Sequence, residues 1–443
     1  MLTEFLAFIN AKQLCRPTDR LLVAVSGGLD SVVLTELVHQ AGFSFGIAHV
    51  NFQLRDEESN RDEAFVRNLA THYQVPLFVQ YFDTKVIAKQ KKLSTQLTAR
   101  ALRYEWFEHI RQQEQFDFLV TAHHLSDSFE TVLLNLTKGT GIAGLRGIPA
   151  RNGSIIRPLL FARREQLFSF SQEQHLAWVE DSSNATEHYQ RNRIRHQVIP
   201  VLKTINPNLE TTFRATQERL EMTERWLRNS LQPLRDVLEQ TGELPFRVLD
   251  SLSEPLLAFS ELLRPYGFSY DQCKAILEKP PLRAGGHYSS ATHRLVRERE
   301  SWQLALLKTD ELTSFSILKD QSVLHTQTLQ LTVNPFENKL TSFSTDQSLL
   351  LVDTQTLAFP LTLRPWQAGD WFCPLGMKGK RQKVSDFLIN QKISILEKEQ
   401  IWVLESQGSI VWIVGYRGDD RFKITDTTRE ITQFKVEQTA KKR

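Results

Sequence analysis

Six residues constrain this chain more than any others: Ser26-Gly27-Gly28-Leu29-Asp30-Ser31, set between an apolar run from Leu21 to Val25 and an apolar-periodic segment from Val32 to Val38. A strand that enters a double glycine and leaves as a helix makes a sharp turn with unblocked N–H groups. The Ser26 and Ser31 hydroxyls add donors, and the helix start aims partial positive charge at whatever sits in the turn. Such a turn is built for phosphate. Asp30 would repel phosphate unless it holds Mg²⁺ against it, so Asp30 is the first candidate metal ligand. A Walker loop is excluded, because no G-x-x-x-x-G-K-[ST] pattern is present.

The surrounding pattern agrees. Leu21 to Val25, Phe45 to Asn51, Leu77 to Phe82 and Phe116 to Ala122 read as strands, with amphipathic helical patterns between them. One helix is expected to open at Ser59 and Asp62, at capping-box spacing, before Phe65, Leu69 and Tyr73. Apolar strands alternating with helices predict an α/β N-terminal domain with a doubly wound parallel sheet, which binds ligands beyond the carboxyl ends of its strands.

At ~150 residues per domain, 443 residues suggest about three. The pattern gives a catalytic domain over 1–207, a linker helix over 208–237, a small helical and mixed middle domain over 238–325, and a mostly β C-terminal domain over 345–443. Residues 364–443 carry 15 Lys and Arg against 10 Asp and Glu, so the basic surface is C-terminal and a polyanionic partner is expected there. The three cysteines, Cys15, Cys273 and Cys373, form no C-x-x-C pair, which disfavours disulfides, cysteine zinc sites, iron–sulfur clusters and sulfur transfer. No apolar run approaches membrane-spanning length and no basic leader precedes one, so the chain reads as cytoplasmic.

The loop and its placement resemble the PP-loop ATP pyrophosphatase family, whose members cleave ATP between the α and β phosphates. Within it, the tRNA(Ile)-lysidine synthetase family is similar over nearly the whole chain. The resemblance runs through His49-Val50-Asn51 with Arg55, Arg100-Ala101-Leu102-Arg103-Tyr104, and Ala122-His123-His124-Leu125-Ser126-Asp127 with Glu130-Thr131. It continues through Asp181-Ser182-Ser183-Asn184, Arg191-Asn192-Arg193-Ile194-Arg195 with Pro200, and C-terminal Arg364, Gly369-Asp370, Pro374-Leu375-Gly376 and Lys378-Gly379. Two positions depart from that family's pattern. Ser126 stands where the first of two paired acids is usual, and Phe52-Gln53 where His-Gly is usual; Asp127 keeps its role, and Ser126, Phe52 and Gln53 are assigned none.

The resemblance implies ATP and Mg²⁺, a tRNA(Ile) with a CAU anticodon, free L-lysine and adenylation of the wobble cytidine at its C2 oxygen. Lysine then displaces AMP. A second copy of the chain is an allowed partner, and no membrane is expected. Ser26 to Ser31 would bind ATP, Asp30 would hold the metal, and Asp127 would hold the metal or position the lysine ammonium. Arg100 and Arg103 (i, i+3) and Arg191 and Arg195 (i, i+4) each share a helix face and would meet charge building at the α-phosphorus. His123 and His124 end a strand on opposite faces, so a two-histidine metal site is disfavoured; His123 would take a proton or touch phosphate. Lys378, Lys380, Arg381 and Lys383 would grip tRNA, while most nearby tryptophans are expected in the core. A tRNA 2-thiocytidine-type thiolase and an inactive tRNA-binding module are the alternatives.

Overall fold

In a computed structural model, residues 1–53, 56–92, 94–180, 190–279, 284–307, 313–326, 328–336 and 346–438 are described. Arg55 and Asp181 to Asn184 lie outside them. The chain divides into two compact units, Met1–Asn229 and Ser230–Arg443.

The N-terminal unit runs α1 (Leu2–Lys12), β1 (Arg20–Ala24), α2 (Leu29–Gln40), β2 (Ser44–Asn51), α3 (Asp56–Tyr73), β3 (Leu77–Tyr81), α4 (Thr84–Lys91), α5 (Thr95–Gln113), β4 (Phe118–Val120), α6 (Leu125–Lys138), α7 (Ile142–Leu145), β5 (Arg151–Asn152), β6 (Ile155–Ile156), α8 (Arg164–Glu173), α9 (Gln190–Arg193), a π-helical turn (Ile194–Val198), α10 (Ile199–Ile205) and α11 (Leu209–Ser230). Its sheet has the order β3-β2-β1-β4-β6-β5 and is parallel except for the short edge strand β5. Leu21, Val23, Val33, Leu37, Ile47 and Val120 are buried in the core between sheet and helices, which is the doubly wound arrangement that apolar strands with amphipathic crossovers require.

Two local expectations are corrected. The helix read as opening at Ser59 begins a turn earlier, at Asp56, where the acidic run 56–58 suits a helix start. Ser59 is then inside it. The segment 208–237 is not one free linker helix: α11 packs on the N-terminal unit, Phe213 meeting Phe129 with ring centroids 4.8 Å apart, and a new helix, Gln232–Thr241, starts with Pro233 in its first turn.

In the second unit, an antiparallel sheet of Glu243–Pro245, Ser301–Leu306, His293–Arg297 and His287–Ser289 carries buried Trp302 against Phe246 and Phe259. Two further antiparallel sheets follow. Phe315–Ile317 pairs with Leu361–Pro365, and Leu329–Phe336 pairs with Ile431–Gln438, so residues 315–336 belong to the C-terminal β region. The expected boundaries at 325 and 345 therefore fall too late. The Ser, Thr and Gln content of that stretch hid strands whose partners lie far along the chain, Leu329 pairing with Gln438.

Candidate functional site

The carboxyl ends of β1, β2, β4 and β6 share one edge of the sheet and carry the chemistry-bearing residues. At β1, Gly27 has φ 92°, a left-handed conformation that side chains other than glycine's resist. Ser26 Oγ lies 3.3 Å from Ser31 Oγ, and Ser31 Oγ donates to the Gly28 carbonyl at 2.9 Å, so the hydroxyls brace the loop. α2 begins at Leu29 with Gly28 as its cap, a residue with no side chain to accept from the first turn. Its first N–H groups remain available to an anion.

At β2, His49 Nδ1 is 2.9 Å from the Val25 carbonyl, immediately before the loop, and burial pushes its imidazole below its ordinary pKa. Asn51 Nδ2 donates at 2.9 Å to Glu63, which also accepts from Tyr81 and Arg67. The second-strand motif thus supports the loop from beneath. Phe52, left without a role by the sequence, lies under the Arg103 guanidinium, 5.0 Å from the ring centroid, with Phe82 stacked at 6.3 Å. Arg103 is exposed on α5, as is Arg100, whose guanidinium covers Tyr104 at 5.1 Å.

At β4, the two histidines diverge as adjacent strand-end residues should. His123 is half-buried with Nδ1 2.9 Å from Thr121 Oγ1; burial pushes its pKa down to about 4, and Arg157, Arg191 and Arg100 outweigh part of the opposing pull of Asp127. It is neutral at pH 7. His124 is buried, with Nε2 3.6 Å from Asp30 and 3.4 Å from Asp127. Burial opposes its charged form, but the Asp127 and Asp30 carboxylates outweigh it and raise its pKa. Asp127, half-buried, is held below its ordinary pKa against the opposing cost of burial, chiefly by His124 and His123, with Arg191 and the His124 backbone N–H adding to them.

Arg191 and Arg195 converge as expected, but on Glu130. Arg191 Nε donates to Glu130 at 3.0 Å, and Arg195 donates through Nε at 2.6 Å and Nη2 at 3.0 Å. In the sequence Glu130 stands out only as part of a motif. Ser126 is buried too, its hydroxyl donating to Glu210 of α11 at 2.8 Å. A carboxylate thus stands beside the position where the usual acid is missing, supplied from a helix 84 residues downstream.

A magnesium ion fits one of the two proposed ligands. Asp30 Oδ1 is buried without a hydrogen-bond partner, as expected of an oxygen awaiting a cation, and Mg²⁺ commonly takes one or two carboxylates plus phosphate oxygens. Asp127 fits poorly, because His124, Arg195 at 3.7 Å and Arg191 at 4.0 Å already neutralise it. Among the described residues no group of three or more His, Cys, Asp or Glu could hold a metal.

In the second unit, Lys378, Lys380, Arg381 and Lys383 are all exposed. Arg381 and Arg421 cover the Trp371 ring at 4.0 and 4.8 Å, so that ring is spoken for and does not offer a free stacking face. Trp302, Trp402 and Trp412 are buried. Arg364 is absorbed by Asp370 and Glu405 and is part of the scaffold. Burial raises the Cys15 and Cys273 thiols to about 11, which leaves neither of the two a reactive thiolate for sulfur transfer. No helix among the described residues is long and apolar enough to cross a membrane.

Family models match three stretches: a PP-loop domain at residues 2–202, a TilS substrate binding domain at 239–307 and a TilS substrate C-terminal domain at 361–434. A protein of Parabacteroides distasonis named tRNA(Ile)-lysidine synthase is 38% identical over 96% of this chain and 97% of its own length. One of the same name from Bacteroides thetaiotaomicron is 36% identical over 97% and 98%. Among solved structures, a TILS C-terminal domain is similar over 29% of this chain and 100% of its own, at 16% identity and TM-score 0.26.

Proposed function

The chain belongs to the tRNA(Ile)-lysidine synthase family, and from that premise we propose how its residues divide the work of an ATP-using ligase that forms a carbon–nitrogen bond on tRNA(Ile). The loop from Ser26 to Ser31 and the open start of α2 hold the ATP phosphates. The observation that carries this is the buried, unpartnered Oδ1 of Asp30 in that first turn, beside uncapped N–H groups. Asp30 would hold Mg²⁺, which supplies charge neutralisation on the phosphates when bound.

The C2 oxygen of the wobble cytidine attacks the α-phosphorus and pyrophosphate leaves, and Arg100, Arg103, Arg191 and Arg195 would meet the negative charge that grows there. Glu130 fixes the last two of these in orientation. The ε-amine of free lysine, deprotonated, then attacks C2 and expels AMP. His123, neutral at pH 7 and beside Asp127, would take the proton only as the C–N bond forms and the attacking nitrogen turns acidic, its lowered pKa making it too weak a base for the free ammonium. His124 ties Asp30 to Asp127 and so couples the phosphate loop to the end of β4. The exposed cations Lys378, Lys380, Arg381 and Lys383 bind tRNA phosphates away from the reacting atoms.

The test is exchange of labelled pyrophosphate into ATP. Exchange that requires a CAU-anticodon tRNA and is abolished in Asp30→Ala, with tRNA affinity retained, supports the assignment. Wild-type exchange in Asp30→Ala refutes it, and absence of exchange in the wild-type protein favours an inactive binding module.

A further inference from the structure

One acid of the N-terminal unit stands where its helix calls for an apolar side chain. α3 turns Val66, Ala70 and Tyr73 into the core, and the same inward stripe begins with Glu63, 8% exposed. Burying a carboxylate is costly unless hydrogen bonds compensate it, and here three side chains do so. Asn51 Nδ2 donates to Oε2 at 2.9 Å. The Tyr81 hydroxyl donates to Oε1 at 2.6 Å, and Arg67 does so through Nε and Nη2 at 2.9 and 2.8 Å. Burial pulls the Glu63 pKa up, but these bonds outweigh it and hold it below its ordinary value.

What the carboxylate controls is the end of β2. An ionised carboxylate only accepts, so Asn51 must face it with the amide nitrogen, and the amide oxygen is thereby turned the other way. That oxygen accepts the Gln53 N–H at 3.0 Å. Gln53 is held at φ 50°, in the left-handed region that a side chain disfavours, and such a turn persists only where its surroundings fix it. Between the two lies Phe52, whose ring is stacked on Phe82 at 6.3 Å and lies under the Arg103 guanidinium at 5.0 Å. Glu63 and Arg103 also act on one neighbour, the His49 imidazole, the first favouring its charged form and the second opposing it. The stretch of α3 that holds Glu63 lies against the phosphate loop as well, since a Cβ at Gly27 would meet Phe65, Val66 and the Asp62 carbonyl at 3.6, 3.7 and 3.8 Å. We propose that Glu63 is a positioning residue for adenylation: through the Asn51 amide it sets the turn that seats Phe52, and Phe52 holds the Arg103 guanidinium in place. This rests on Arg103 meeting the charge at the α-phosphorus, as given under the proposed function.

The test uses Glu63→Leu, which suits an inward apolar stripe and leaves the Asn51 amide unfixed, while Arg67, its side chain 54% exposed, regains water. The assay is single-turnover formation of adenylated tRNA from ATP and a CAU-anticodon tRNA. In Glu63→Leu the rate should fall about 10-fold, the low end for a lost charge-assisted hydrogen bond, with apparent affinity for ATP within about twofold of wild type. Glu63→Gln, whose amide oxygen can still accept from Asn51, should recover most of the rate. Gln53→Gly added to Glu63→Leu should also recover rate, because glycine adopts that turn unaided; no gain overturns the route through the turn. Arg103→Ala combined with Glu63→Leu should cost no more than Arg103→Ala alone. A merely structural role for Glu63 would weaken ATP binding along with the rate and multiply with Arg103→Ala, and that pattern overturns the proposal. Asn51→Ala cuts the same relay at its second link without touching Glu63, so it should reproduce the loss of rate, and wild-type adenylation in it overturns the proposal whether or not Glu63→Leu folds. If Arg103→Ala adenylates at the wild-type rate, the reading of Arg103 itself fails. If Arg103→Ala is slow and Glu63→Leu is not, the role of Glu63 alone fails.

Discussion

Glu130 is the point at which the closing segment of the N-terminal unit is fastened to the helix that bears Asp127. Its carboxylate is 2% exposed and accepts three charge-assisted hydrogen bonds, from Arg191 Nε at 3.0 Å and from Arg195 Nε and Nη2 at 2.6 and 3.0 Å. Glu130→Gln keeps the shape, removes the charge and turns one acceptor into a donor that faces guanidinium N–H groups. Breaking a buried pair by removing one partner costs about 3–5 kcal/mol. Arg191 is 36% exposed and can regain water on release, whereas Arg195 at 22% regains less, so the lower end, about 3 kcal/mol, applies. At 1.36 kcal/mol per tenfold, local opening should become about 10²-fold more frequent. Native-state hydrogen exchange reads this where it occurs: amides of α6 and of residues 190–198 should lose about two decades of protection while those of the C-terminal sheets keep theirs. Adenylation should fall with it, and Glu130→Gln combined with Arg195→Gln should cost no more than the worse single change, because both remove one interaction. A loss of protection under about fivefold, or additive kinetic effects, would refute the view that Glu130 orients these arginines.

Other outcomes follow from the same geometry. Phe52→Leu keeps an apolar side chain but removes the ring under Arg103, and should lower the adenylation rate roughly 2- to 30-fold, the range of a cation–π contact, with Phe52→Tyr near wild type and no further loss when Arg103→Ala is added; single-turnover rates decide it. Ser126→Asp places a second carboxylate against buried Glu210, so its melting temperature should drop by several degrees and Glu210→Gln should restore it, as a thermal scan will show. Because His123 titrates near 4 when folded and near 6.5 when unfolded, the unfolded chain binds more protons in that window. Stability therefore rises with pH from about 4 to 6.5 and is lost as pH falls, and melting curves of His123→Gln should have a flatter slope across it. Changing Lys378, Lys380, Arg381 and Lys383 to Ala should weaken tRNA binding and reduce its log–log salt slope by roughly 0.7–0.9 per lost phosphate contact; parallel salt lines in a titration would return the four to solvated surface.

What the sequence made legible and what it hid divide along a physical line. The loop from Ser26 to Ser31 could be read because its work is done by backbone: glycine torsions, open N–H groups and a helix start follow from local order alone. The strands up to Phe116 were visible for a similar reason, each being a contiguous apolar run. Glu130, Glu210 and Arg157 were not, because what distinguishes them is a partner, or a neighbouring strand, far along the chain. Glu130 and Arg195 are 65 residues apart, and Ser126 and Glu210 are 84 apart. Arg157 did leave a trace, since Ile155-Ile156-Arg157-Pro158 sets a charge at the end of a short apolar run, where a parallel sheet presents its ligand edge. A two-residue strand is too short to show by periodicity, and the arginine looked like any other surface cation. Only the sheet order, which seats β6 beside β4, turns it into a buried charge at the ligand edge.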